Sequence, residues 1–410
     1  MAHQDAIGTK TSKRIFCTDD AQKLARSRLP RLVLDYIEGA AGREVAVKRN
    51  QSRFDDIMLQ PRVMNKAQNR SAVTHFLSRD YGLPFGIAPM GMCNLSWPGA
   101  DRFLAEAARD FNIPICLSSA ASSSIEEMRG WAGDKAWFQL YVGPSMAHSL
   151  ELVERASEVG YETLVLTVDV PKVARRVRDL KNGFQMPFSI GPRQFIDFVR
   201  HPRWSLATLM QGAPKPKNFA GDGNRFDRHG SREGADWDFL DRLRGLWKGR
   251  LIIKGVTSVP DALRIQASGV DAIYVSNHGG RQFDSVPSSI DLLPRIRAAV
   301  GPDYPLILDS GVRSGEDVVK ALTLGADFVM LGRPLLYALA AEADRGLYSL
   351  IRVFAEEIDL AMTQLGIGSI ADLDANSLFV PAEVSVPDTA EDAAPFAIQQ
   401  VKSSRRQRRT

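Results

Sequence analysis

The sequence predicts an α/β fold, a (β/α)8 TIM barrel with an N-terminal helical cap and a long loop after the fourth strand. Three observations lead there. Eight short β-rich apolar runs recur along the chain, amphipathic stretches of helical spacing separate them, and polar or reactive side chains gather where the runs end. Near-continuous apolar strands alternating with helices make a parallel sheet covered on its outer face. Eight such units close into a barrel.

The runs are, in order, FGIAPM (Phe85 to Met90), ICLSS (Ile115 to Ser119), WFQLYV (Trp137 to Val142), TLVLTVD (Thr163 to Asp169), RLIIKGV (Arg250 to Val256), AIYVSNH (Ala272 to His278), PLILDSG (Pro305 to Gly311) and DFVMLGR (Asp327 to Arg333). Between them SLELVERASEVG shows the helical repeat: Leu152, Val153, Ala156 and Val159 share one face before a terminating glycine. The structural alternative, an open doubly wound sheet, wants G-x-G-x-x-G just after its first strand. APMGMCNLSWPG does not supply it.

The barrel is expected over residues 81–380, with residues 1–80 as a helical cap of the same domain, where LPRLVLDYIEGAAG (Leu29 to Gly42) reads as a helix ending in glycines. The connection 181–248 is far longer than an ordinary βα loop and is expected to be a lid or a membrane-contact loop. Within it GDGNRFDRHGSREGAD (Gly221 to Asp236) is glycine-rich and charged, with the composition of a disordered segment. Residues 381–410 end in KSSRRQRRT and are expected to be a flexible basic tail.

Composition narrows the function. With 410 residues, 44% hydrophobic and 24% charged, the chain is ordinary globular material, and a net charge of +4 argues against nucleic acid as a partner. The three cysteines, Cys17, Cys93 and Cys116, have no metal-ligand spacing and no even count for a disulfide framework, so no metal is expected and a reducing cytoplasm fits best. The N-terminus lacks the apolar core of a signal peptide and no run is long enough to span a bilayer. Any membrane contact would be peripheral, on the inner face of the cell membrane.

In a barrel, chemistry collects where the strands end. His278, followed by Gly279 and Gly280, is a candidate base that exchanges a proton near neutral pH. Arg281 and Arg176 are planar forks suited to an anionic substrate, though Arg176 also reads as part of a solvated basic loop. Lys254 ends an apolar run, so its ammonium faces an anion or electron-rich group, or a structural carboxylate. LDSGVRSG and LGRP, with Arg313 and Arg333 beside glycines, match the phosphate site that barrels build after strands seven and eight.

The strand-six motif SNHGGRQFD, with FQLYV, LTVD, IIKG, LDSGVR and LGRP in order, resembles the FMN-dependent L-2-hydroxy acid dehydrogenase/oxidase family over about residues 20–380. The resemblance implies that His278 is the active-site base and Asp169 the carboxylate that orients it and stabilises its protonated form. It implies that Arg176 and Arg281 grip the substrate carboxylate, and that Tyr36 and Tyr141 contact the carboxylate or hydroxyl side. Lys254 would stand near flavin N1 and O2. Backbone at Ala88, Pro89 and Met90, with Ser118, Gln139 and Thr167, would hold the isoalloxazine, Asp309 the ribityl chain, and Gly311, Arg313, Gly332 and Arg333 the FMN phosphate, with Ser276 also among the cofactor-binding residues.

The implied reaction is oxidation of an (S)-2-hydroxy acid to the 2-oxo acid. His278 would take the hydroxyl proton during hydride transfer, or the α-proton to form a carbanion, and both routes use the same residues. Ala120 stands where glycolate oxidase has tryptophan, which favours a bulkier substrate, lactate-like or mandelate-like, over glycolate. Met90 stands where many members have threonine, a change the sequence does not explain. Family members are often tetramers.

In the long connection, Phe195, Ile196, Phe198, Val199, Trp204, Leu206 and Leu209 mix with Arg193, Arg200 and Arg203, which suits a membrane interface. HPRWSL (His201 to Leu206) also resembles the insertion of bacterial mandelate and lactate dehydrogenases, which pass electrons to membrane quinone. The expected enzyme is therefore a peripheral-membrane dehydrogenase with a quinone or other respiratory acceptor. The alternatives are a soluble oxidase that reduces O2 to H2O2, a flavin-containing barrel isomerase, and a non-catalytic scaffold.

Overall fold

An inward-facing core that turns polar at one end positions the site in the computed structural model, which describes residues 11–184, 190–219 and 230–379. An antiparallel hairpin of β1 (Thr74–Phe76) and β2 (Arg79–Tyr81) precedes eight parallel strands: β3 (Phe85–Met90), β4 (Ile115–Ser118), β5 (Ala136–Leu140), β6 (Thr163–Thr167), β7 (Arg250–Val256), β8 (Ala272–Val275), β9 (Leu306–Leu308) and β10 (Phe328–Leu331). These eight close into a barrel, β10 pairing with both β9 and β3. Each coincides with one of the eight apolar runs. Residues to Leu378 form one compact unit, and of the second, Phe379–Thr410, only Phe379 is described.

Alternation along each strand explains both faces. Cys116, Trp137, Val165, Ile252, Tyr274, Ile307 and Phe328 fill the barrel, whereas Phe138, Leu164, Leu166 and Ile253 belong to the layer packed under the helices. The hairpin, which lies in the segment expected to be helical, plugs the end where strands begin: Phe76 stacks on Phe328 at 5.1 Å and Tyr81 meets Trp137 edge-on. With that end sealed, two residues further along the same inward face come Ser118, Gln139, Thr167, Lys254 and Ser276. The opposite rim is therefore the polar one.

Before the hairpin, helices span Thr18–Arg28, Arg31–Glu38 and Val45–Asp55. The side chain of Asp284 fastens the third of these by accepting from the backbone N–H groups of Arg43, Val45 and Ala46. After β10, the helical run Arg333–Leu365 breaks at Glu342 and Ala343 and packs on the first helix, whose Gln22 and Arg28 donate to Tyr337 and Ala341 ahead of the break.

Among the described residues the long connection holds the helices Pro192–Arg200 and Pro202–Gln211, each started by a proline at its first turn, and then the helix Trp237–Leu246 that leads into β7. Residues 221–229 of the charged stretch and the basic tail lie outside the described residues.

Candidate active site

Strand β8 ends at Val275, and the chain then turns sharply through His278 (φ 57°), Gly279 (φ 64°) and Gly280 (φ 74°). Three consecutive left-handed residues are costly unless something holds them, and histidine there carries strain of order 1 kcal/mol. Asn277 holds them. Its Oδ1 accepts from Gly280 N–H, and its amide exchanges hydrogen bonds with Asn50 and donates to the Pro287 carbonyl. Glycine is required beyond the histidine because a Cβ on Gly279 would lie 2.8 Å from Arg333 Nη1 and one on Gly280 2.7 Å from Val47 N.

The turn aims the imidazole inward. His278 Nδ1 lies 2.9 Å from Asp169 Oδ1, and Nε2 lies 3.3 Å from the Tyr141 hydroxyl. A carboxylate only accepts, so Nδ1 carries the proton and the Nε2 lone pair faces the cavity. Burial lowers the His278 pKa, as do Lys254 and Arg176, against the opposing pull of Asp169. Burial alone would raise Asp169, but its interactions with His278, including the hydrogen bond from Nδ1–H, and the charge of Lys254 outweigh it and hold this carboxyl below its ordinary value. The resting pair is a neutral imidazole beside an ionised carboxylate. Burial, then Asp169, raises the Tyr141 phenol far above its usual range, so it stays a donor.

Lys254 is 3% exposed, and its Nζ donates to Ser276 Oγ at 2.9 Å, lies 3.5 Å from Asp309 Oδ2 and sits 5.0 Å over the Tyr274 ring. Ser276 Oγ also accepts from His278 N–H, so one hydroxyl ties amine to base. Tyr274 and Ser310, neither of them anticipated, donate to the Asp309 carboxylate.

The arginines differ from the expected picture. Arg281 Nη1 donates to the carbonyls of Tyr36, Ile37 and Gly39, and its guanidinium lies over the Tyr36 ring at 5.3 Å. Arg333 donates through Nε, Nη1 and Nη2 to Ile37, Gly279 and Gly39. Both cations thus cap the C-terminal carbonyls of the helix Arg31–Glu38 and carry Tyr36 over the barrel mouth. Burial brings the Arg333 pKa down to about 9, with help from Arg281. Arg313 Nη1 donates to the Val312 carbonyl at 2.8 Å, and Arg176 Nε donates to the Arg281 carbonyl at 3.4 Å. Every one of these arginines still lines the cavity, together with Tyr36, Ala88, Pro89, Met90, Ser118, Ala120, Tyr141, Lys254, His278, Asp309, Gly311 and Gly332.

Residues 25–380 match the family model described as FMN-dependent dehydrogenase. The chain belongs to the FMN-dependent dehydrogenases. It is 37% identical to the (S)-mandelate dehydrogenase of Pseudomonas putida over 375 residues, covering 90% of this chain and 94% of the relative. It is 36% identical to the L-lactate dehydrogenase of Pseudomonas syringae pv. syringae, covering 89% and 98%. A crystal structure of monotopic membrane protein (S)-mandelate dehydrogenase superposes with TM-score 0.85 at 37% identity, covering 90% of this chain and 100% of that one.

The residues of this FMN-dependent dehydrogenase fit the cofactor. Both side-chain polar atoms of Gln139 and the Thr167 hydroxyl are buried on the inward face without a hydrogen-bond partner. An orphaned buried amide is costly. The edge of an isoalloxazine ring, with alternating carbonyl and N–H groups, supplies what these atoms lack.

The insertion needs one correction. Trp204, expected among the membrane-facing side chains, is 2% exposed and donates through Nε1 to the Leu95 carbonyl at 2.8 Å, with Phe198 packed on it at 5.6 Å. Its indole N–H needs a partner, and the barrel supplies one. Phe195, Ile196, Val199, Leu206, Leu209 and Met210 remain exposed. Arg232, lining the cavity from the stretch expected to be disordered, was also unforeseen. A lone arginine among glycines and charges gives no signal in a sequence.

Proposed function

We propose that this dehydrogenase oxidises an (S)-2-hydroxy acid of the lactate or mandelate type to the 2-oxo acid and passes the electrons to a quinone or another respiratory acceptor. The observation that carries the reading is the half-buried His278, whose lowered pKa keeps it neutral against the pull of Asp169, and whose Nδ1–H is held by that carboxylate so that the Nε2 lone pair faces Tyr141. When bound, FMN supplies the two-electron acceptor. His278 takes the substrate proton, and Asp169 stabilises the imidazolium that results. Arg176 and the free edge of Arg281 bind the substrate carboxylate, while Tyr141 and Tyr36 donate to its carboxylate or hydroxyl oxygens.

Ala88, Pro89, Met90, Ser118, Gln139 and Thr167 would hold the flavin ring, with Lys254, positioned by Ser276, countering charge at its N1 side. Asp309 would take the ribityl chain, and Gly311, Arg313, Gly332 and Arg333 the phosphate. Ala120 leaves space for a side chain larger than a hydrogen atom.

The helices Pro192–Arg200 and Pro202–Gln211 of the insertion are read as a membrane-surface contact on the cytoplasmic side. Trp204 and Phe198 anchor one face, and six apolar side chains project from the other beside Arg193, Arg200 and Arg203. Among the described residues no helix is long and apolar enough to cross a bilayer.

The test is anaerobic bleaching of the bound flavin by glycolate, L-lactate and L-mandelate, followed by air and then a quinone. His278→Ala should keep yellow FMN and lose bleaching. Reduction of that variant at the normal rate would show the base to be wrongly assigned.

A further inference from the structure

The end of the insertion brings another guanidinium to the cavity, one that the family motifs do not contain. Arg232 is 9% exposed and lines the same cavity as Tyr141, Arg176 and His278. Its backbone is fixed: Arg232 N–H donates to the Pro171 carbonyl at 2.8 Å, two residues past Asp169, and Ala235 N–H donates back to the Arg232 carbonyl. The guanidinium carbon stands 5.4 Å from the centroid of the Tyr141 ring, whose hydroxyl meets the base. A full positive charge thus lies one side chain away from the reacting centre.

Charge decides what that position recognises. A cavity that takes FMN and a monocarboxylate receives one phosphate, met by Arg313 and Arg333, and one carboxylate, met by Arg176 and Arg281. Ala120, Val170, Val173 and Pro216 line the same cavity, and apolar wall beside a bound carboxylate strengthens a charge-assisted hydrogen bond to it.

We propose that Arg232 is a specificity-determining residue that selects 2-hydroxy acids whose side chain ends in a second carboxylate. This rests on the hydroxy-acid reading above and narrows its substrate class. The second carboxylate takes the guanidinium as a bidentate partner, with Tyr141 fixing the plane of the fork from below.

The experiment pairs each diacid with its neutral isostere: L-malate with (S)-2-hydroxy-4-methylpentanoate, and (S)-2-hydroxyglutarate with (S)-2-hydroxy-5-methylhexanoate. Flavin reduction of the holoenzyme is followed anaerobically for wild type, Arg232→Met and Arg232→Lys, with L-mandelate as a fifth substrate. Wild type should prefer the diacids. Arg232→Met should lower the diacid-to-isostere ratio of kcat/KM by about thirtyfold, mainly through KM, the scale of one charge-assisted hydrogen bond, and Arg232→Lys should restore part of it.

A ratio that moves less than about threefold overturns the proposal, as does a loss falling mainly on mandelate, which would make Arg232 a platform for an aromatic ring. Arg232→Gln, which removes the charge but keeps a hydrogen-bond donor, replaces the methionine variant if that one loses its flavin. Bleaching of wild type by none of the five acids would overturn the hydroxy-acid reading itself, a failure distinct from an unchanged ratio.

Discussion

Replacing Asp169 by asparagine isolates the charge of the carboxylate from its shape. The amide oxygen of asparagine can still accept from His278 Nδ1 at the 2.9 Å separation of the present pair, so the tautomer and the direction of Nε2 survive. What disappears is the attraction between a carboxylate and the imidazolium formed as the substrate loses its proton. For unit charges about 4 Å apart at an effective dielectric of about 20, that attraction is about 4 kcal/mol. It acts only once the proton has moved, so it belongs to the barrier rather than to binding and predicts a loss of about 10³ in the rate of flavin reduction. Anaerobic stopped-flow reduction by a saturating hydroxy acid measures this directly, and the dependence on substrate concentration gives binding separately. Reduction slowed less than about tenfold, with flavin still bound, would refute the assignment of Asp169 as the group that stabilises the protonated base.

The pH profile offers a second check. Neutral His278 is the active form, and its pKa lies below the ordinary 6.5, so the rising limb of kcat/KM should fall below that pH. Lys254→Met removes a positive charge that depresses this pKa and should move the limb upward, whatever it does to the maximal rate. At the surface, Phe195→Ser with Leu209→Ser removes two exposed apolar side chains, each worth about 2 kcal/mol when buried in lipid, and should weaken cosedimentation with anionic vesicles by about 10² or more. Unchanged vesicle binding would reject the membrane contact. Gly280→Ala places a Cβ 2.7 Å from Val47 N in a left-handed turn, and thermal denaturation of the holoprotein should show a loss of about 2 kcal/mol or more.

Much was legible because it depends on local order. An alternation of period two fixes which side of a strand each residue occupies, so the runs that became β3 to β10 carried both the barrel and its polar rim, and a motif such as SNHGGRQFD announces a turn that glycine alone can make beyond the histidine. The hairpin was less visible. Phe76 and Tyr81 sit in strands of three residues, too short for a period to register, and their burial comes from Trp137 and Phe328, far away in the chain. Asp284 belongs to the same motif as His278, yet that it holds the N-terminus of the helix Val45–Asp55 is a matter of long-range packing.

The sequence by itself determined the fold class, the family and the identity of the reactive side chains, since each is encoded in short-range pattern. Only the tertiary structure decided how those side chains are used. A guanidinium can bind an anion or cap carbonyls with equal chemistry, and the arrival of the helix Arg31–Glu38 at the rim is what engages Arg281 and Arg333 there. An indole can face lipid or core, and a carbonyl at Leu95 draws Trp204 inward. Arg232 became part of the cavity because its backbone is tied to Pro171, a contact between segments sixty residues apart that no local signal specifies.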